Sequence, residues 1–264
     1  MAELSSSRLL ASLQRIIAQF FQQRPLVASS ALGLGLAAIP VISHIIRSYR
    51  GFLALGPGGL PYNFIGWSLQ AIAQPFARHD VRESKPFSDP RIFGHYAPHG
   101  RTSFLGEVPA RRGERPHVPT YVAPQRQMTD HADASRLDEM KLELASRVAQ
   151  HVELLAIAPS QLEGPKHQAL WIGEAAAKPA YLAKSTKGEF AHVHPDGSSH
   201  LILSLADAEI ATARGWAERH MLSGIMLPFN YVLVYAPRDE GEFQVWKQFL
   251  DAAVAFNTAS SKAT

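Results

Sequence analysis

Apolar residues recur at steps of three and four near the start of the chain. Leu9, Leu10, Leu13, Ile16, Ile17, Phe20 and Phe21 share one arc, and Arg8, Gln14, Arg15 and Gln22 fall outside it. That period predicts an amphipathic leader over residues 1–25, stopped at Pro25 and suited to lie on a lipid surface. The pattern then changes. Residues 26–46 carry no charge and are bounded by Arg24 on one side and by Arg47 and Arg50 on the other. A helix of that length would reach about 31 Å, so a transmembrane helix is expected over 26–48. The competing readings are a buried core helix and a mitochondrial presequence, the latter because the start is amphipathic, bears Ser and Arg, and holds Glu3 as its single acid.

Further along, Gly56 to Pro61 force a turn, and Phe64, Ile65, Trp67, Leu69, Ile72 and Phe76 follow in a mixed helical pattern. Residues 49–115 are expected to form a membrane-proximal connector, extended and rich in Pro, Arg, His and Gly from 78 onward. A globular domain is expected over 116–258, with a short tail at 259–264. Within it, residues 135–151 predict a helix, capped by Ser135 and buried through Leu137, Met140, Leu144 and Val148. Short strands are expected at 152–158, 169–172, 180–183, 189–194, 199–205 and 231–236, and helices at 206–215 and 239–257. Strands in blocks with helices at their flanks predict an α+β fold, with an antiparallel or mixed sheet and flanking helices behind the N-terminal membrane helix. No Gly-rich phosphate loop and no internal repeat is present.

Charge sharpens this picture. Residues 1–115 hold thirteen Lys or Arg against six Asp or Glu, whereas residues 116–264 hold thirteen against seventeen. A basic leader on a mildly acidic body points to membrane lipid as a partner and not to nucleic acid, whose reader would carry the positive charge on the folded domain. The chain contains no cysteine, which excludes disulfides, thiolate nucleophiles and Cys-ligated metal centres.

The candidate chemistry lies between Glu189 and Arg238. EFAHVHPDGSSHLILSL reads as strand, turn and strand, with Pro195, Asp196 and Gly197 in the turn. Strand alternation puts His192 and His194 on one face, and His200 reaches it across the hairpin. Three imidazoles gathered this way can ligate a divalent metal, or supply a general base. The H-x-H pair is shared with cupin-type metal sites, but no carboxylate follows at the usual spacing; Asp196 and Glu189 are the nearby acids. His192, His194 and His200 are thus an alternative metal set. GWAERH adds Trp216, Arg219 and His220, and YAPRDEGE adds Tyr235 and Arg238. An arginine buried beside several histidines would suit an anionic, planar substrate.

At these residues the chain resembles the fungal luciferases, which oxidise a hydroxylated styryl-pyrone, 3-hydroxyhispidin, with dioxygen. The matching segments are YRGFLALGPGGLPYNFIGW, AHVH with the later His200, GWAERH, and YVLVYAPRDEGE with its closing helix. The turn after AHVH is shorter than in luminous members, and MLSGIMLPFN lacks their prolines and glycines; the chain is read as a non-luminous member. The resemblance implies an oxygenase for a hydrophobic phenolic or pyrone small molecule, with dioxygen as co-substrate and no cofactor. His192, His194, His200 and His220 would be catalytic; Glu189, Trp216, Arg219, Tyr235 and Arg238 would bind substrate. A single-pass protein of the endoplasmic reticulum is expected, with a mitochondrial membrane as the other possibility. The rival functions are a histidine-ligated, metal-dependent enzyme of hydrolase type and a non-catalytic, membrane-tethered binding module.

Overall fold

The computed structural model describes residues 2–23 and 25–259. Its helices are α1 (Ala2–Gln23), α2 (Pro25–Ala54), α3 (Phe64–Ala73), α4 (Pro90–Phe93), α5 (Ala134–Gln150), α6 (Ala180–Ser185), α7 (Leu205–Ala213) and α8 (Glu240–Thr258). Its strands are β1 (Leu155–Pro159), β2 (Gln168–Ile172), β3 (Glu189–Val193), β4 (Ser199–Ile202), β5 (Ala217–Arg219) and β6 (Tyr231–Val234). The chain divides into two compact units, Met1–Gly51 and Phe52–Thr264.

The first unit consists of α1 and most of α2. The leader is helical as its period predicts, although the side chains of Leu9, Leu10, Phe20 and Phe21 lie outside the described residues, as does the tail at 260–264. The expected membrane span is not supported. A helix does cover 26–48, but no helix among the described residues is long and apolar enough to cross a membrane. Ser30, Gly33, Gly35, Pro40, Ser43 and His44 interrupt its apolar positions, and the helix runs on through Arg47 and Arg50. The fold is therefore α+β without the N-terminal membrane helix, and the single-pass membrane location loses its basis.

In the second unit the strands form one antiparallel sheet in the order β1-β2-β3-β4-β6-β5. α5 and α8 pack on it. In α5, Met140 and Leu144 are buried one turn apart, and Asp133, not Ser135, caps the helix by accepting from the Arg136 amide at 2.8 Å. In α8, Asp239 caps the Glu242 amide at 2.8 Å, and Phe243, Trp246, Phe249, Leu250 and Ala253 form the buried stripe. Trp246 also donates through its indole nitrogen to Ser199 Oγ at 2.9 Å, so a buried polar group is satisfied where α8 meets β4.

Two elements depart from the pattern reading. Residues 180–183 form α6 and not a strand: Pro179 presets the backbone for a helix start, and AYLA has no two-residue alternation, only Leu182 being fully buried. β5, three residues long, is too short to register as a period. The connector joins the core, because Phe87, Tyr96 and Val108 are buried in the main cluster and Asp207 accepts from Ser103 Oγ at 2.6 Å and from the Phe104 amide at 3.0 Å.

Candidate active site

β3 and β4 place His192 directly opposite His200, and His194 follows two residues after His192 on the same face. The rings converge: centroids stand 5.1 Å apart for His192 and His194, 5.4 Å for His192 and His200, and 4.8 Å for His194 and His200. His220, just past β5, lies 5.2 Å from His200, and Tyr231 of β6 stacks on His200 at 4.4 Å. All four histidines are buried.

For three of the four rings the partner fixes where the hydrogen sits. His192 Nδ1 meets Glu189 Oε1 at 2.8 Å, and His200 Nδ1 meets the Val232 carbonyl at 3.3 Å. A carboxylate and a carbonyl accept only, so both rings donate from Nδ1 and turn an Nε2 lone pair to the site. His194 Nδ1 pairs with Ser198 Oγ at 2.8 Å, and its buried Nε2 has no hydrogen-bond partner. His220 is the opposite tautomer. Its Nδ1 accepts from the Leu222 amide at 3.0 Å, which leaves Nε2–H as a donor.

Glu189 reaches His192 through a bulge. Ala169 pairs with His192 and Leu170 with Ala191, but Trp171 pairs with Glu189, so Phe190 is an extra residue in β3. Without it, alternation would send Glu189 to the face opposite His192. Glu189 is fully buried and also accepts from Ser160 Oγ at 2.6 Å and the Gln161 amide at 2.8 Å, which makes it a positioning residue.

Two groups that the pattern reading did not select complete the site. Glu163 Oε2 lies 3.8 Å from His194 Nε2. Glu163 is ion-paired in turn with Arg126, whose Nε stands 3.7 Å from Asp196. The Gly-Pro-Gly-Gly turn explains itself here. Gly59 donates its amide to the Glu163 carbonyl at 2.9 Å, and a Cβ at Gly58 would fall on the Arg126 guanidinium and within 3.0 Å of both Glu163 carboxylate oxygens. Gly58→Ala is therefore expected to cost about 1–3 kcal/mol of stability, because the buried ion pair has nowhere to retreat. A urea midpoint equal to that of the unaltered chain would show that the turn gives way freely.

The other expected substrate contacts point elsewhere. Arg219 is one residue from His220 and so turns to the other face, where it pairs with Asp80 at 2.6 Å and lies over Phe229 at 4.5 Å. Trp216 donates to the Pro109 carbonyl at 2.7 Å, and Tyr235 donates to Glu218 at 2.9 Å. Arg238 pairs with Glu242 and donates to the Arg112 carbonyl at 2.6 Å. A cleft of about 1260 Å³ is lined by Arg78, Asp80, Tyr96, Tyr181, Met226 and Phe229 among others, and by none of the four histidines. Its mouth is wide and its walls carry solvated charges, so the buried histidine face is the better candidate for chemistry.

Burial holds His194 and His200 well below the ordinary histidine range, reinforced at His194 by Arg126 and at His200 by His220, and it takes His220 down to about 3. The folded protein keeps these rings neutral where the unfolded chain would protonate them. Below about pH 6.5 the unfolded state therefore binds more protons, and stability is lost as pH falls, by up to about 1.4 kcal/mol per pH unit for each group. Glu163 and Asp196 act in the opposite sense, since burial raises both, but they enter only as their own titration range is reached. Urea unfolding should show a lower midpoint near pH 5.5 than near pH 7.5. Equal midpoints would remove the cluster from acid lability.

The arrangement defines a class: an antiparallel α+β protein with four imidazoles buried together against the central strands of its sheet. Comparison with known proteins narrows it. Residues 187–253 match the family model described as Luciferase domain. The chain is similar to the luciferase of Armillaria ostoyae, at 27% identity with 88% of each chain covered, and to that of Neonothopanus nambi, at 28% identity with 86% of each covered. No solved structure matches it. These matches support a place in the fungal luciferase family and a luciferase-like function.

Proposed function

We propose that the chain is an oxygenase that oxidises a hydrophobic phenolic or pyrone compound with dioxygen. The observation that carries this reading is the buried convergence of the His192 and His200 Nε2 lone pairs, the His220 Nε2–H and the unpartnered His194 Nε2 on a single sheet face. A ring lone pair accepts the proton of an acidic enol or phenol, and burial holds His194 and His200 in the unprotonated form. The resulting anion gives its electron pair to a new carbon–oxygen bond with dioxygen, and the peroxide anion so formed takes a proton back. The His220 Nε2–H is the one ring donor that faces the developing negative charge. Likeness to the two luciferases supports the choice of an oxidative reaction over hydrolysis or passive binding.

The test is oxygen uptake by the purified chain over a panel of hydroxylated pyrones, 3-hydroxyhispidin included, and simple phenols. Uptake is expected for at least one pyrone and none with a His192→Gln variant. Absence of uptake across the panel rejects the proposal.

A further inference from the structure

We propose that His192, His194 and His200, through their Nε2 atoms, together with a Glu163 carboxylate oxygen, form a binding site for one divalent transition-metal ion of the kind that imidazole favours. The inference concerns the face used in the proposed function and competes with it for the three Nε2 atoms, because a nitrogen that holds a metal cannot also accept a proton; binding is measured without substrate.

The geometry carries the argument. Each of the three residues offers a ligand atom, and these atoms lie within 4.8 Å of one another in a fully buried group. Metal-binding histidines characteristically hold their second nitrogen on a carboxylate, a carbonyl or a similar partner, which fixes the tautomer and aims the ligand nitrogen. Two rings have that arrangement, with Glu189 behind His192 and Val232 O behind His200, and behind His194 stands Ser198 Oγ, a hydroxyl able to accept from Nδ1. His220 lacks it, because its Nδ1 accepts a hydrogen bond and its Nε2 carries a hydrogen, which excludes it as an Nε2 ligand.

A second observation is independent of the pattern of partners. His194 Nε2 is a buried polar atom with no hydrogen-bond partner. Such an atom calls for a ligand that the protein does not itself supply. The carboxylate that the H-x-H spacing leaves missing also comes from elsewhere in the chain: Glu163, on the loop after β1, brings Oε2 to 3.8 Å from that nitrogen. Its other oxygen is held by Arg126. Three imidazoles and one carboxylate suit zinc, ferrous iron or nickel better than the hard ions calcium and magnesium. Two ligand nitrogens on a tetrahedral zinc stand about 3.4 Å apart, so the rings would close inward by about 1.4 Å at most, which small side-chain rotations provide. The proposal departs from the expectation of cofactor-free oxygenation.

The experiment uses the full chain without a polyhistidine tag, stripped with chelator and titrated with Zn²⁺ by calorimetry. One Zn²⁺ per chain is expected, with a dissociation constant below about 1 µM. His192→Gln and His200→Gln should each weaken binding at least about tenfold, and Glu163→Gln should weaken it by a comparable factor. The exposed His117→Gln should leave it unchanged. Co²⁺ added to the unaltered chain should give visible ligand-field absorption that Zn²⁺ abolishes, a readout that requires no variant to fold. Absence of stoichiometric Zn²⁺ binding and of that absorption, or binding indifferent to the His192 and His200 changes in folded variants, overturns the site. A chain that binds Zn²⁺ yet consumes no oxygen on any pyrone would keep this inference and reject the proposed reaction; oxygen uptake that survives chelation, without Zn²⁺ binding, would do the reverse.

Discussion

Replacing Arg126 with Met is expected to destabilise the protein by about 3–5 kcal/mol, because it strips a buried cation from two buried acids. The guanidinium pairs with Glu163, stands 3.7 Å from Asp196 and donates to the Pro57 carbonyl at 3.3 Å, and the side chains of all three charged residues are almost fully shielded from solvent. Even with Arg126 in place, burial already raises the carboxyls of Glu163 and Asp196 above their ordinary range. Without it, the two acids face each other unneutralised, and both would resist ionisation further. The deficit should therefore be large at neutral pH and shrink on acidification, as protonation relieves the repulsion. Urea denaturation of the two proteins at both conditions measures this. A loss below about 1 kcal/mol at neutral pH would mean that solvent reaches the pair and that the face is not closed.

The second large effect concerns function. His194→Asn keeps an amide near the position of Nδ1, able to partner Ser198 Oγ, while deleting the Nε2 atom that has no other partner. Turnover of any substrate found by oxygen uptake is expected to fall by at least about a hundredfold, with stability changed by less than about 1 kcal/mol. The two numbers separate a chemical role from a structural one. Full activity in the variant would strike that nitrogen from the reaction.

The hairpin was open to reading because its information is local. Pro195, Asp196 and Gly197 mark the turn, alternation pairs His192 with His194, and the resulting register sets His200 opposite His192. The partners of those rings were not open to reading in the same way. Glu163 and Arg126 come from segments with no periodic signal, and nothing in their neighbours' types announces that they meet under a Gly-Pro-Gly-Gly turn. The orientation of Glu189 depends on an extra residue in β3, which a two-residue period cannot reveal. Arg219 was misplaced for the opposite reason: proximity in sequence to His220 suggested a shared site, whereas alternation separates them and Asp80 claims the guanidinium. The N-terminal span rested on the absence of charge over 26–46. Absence of charge marks a stretch that can leave water, but small and polar residues and a proline spread through α2 deny it the continuous apolar surface that a crossing helix presents.

The strand order has a kinetic corollary. β3 and β4 are flanked on both sides, by β2 and by β6, so neither borders an edge that could fray. The amides of Ala191, His192 and Leu201 should accordingly rank among the slowest in the molecule to exchange for deuterium, opening only with global unfolding. A ligand of the imidazoles is then expected to arrive without parting these two strands.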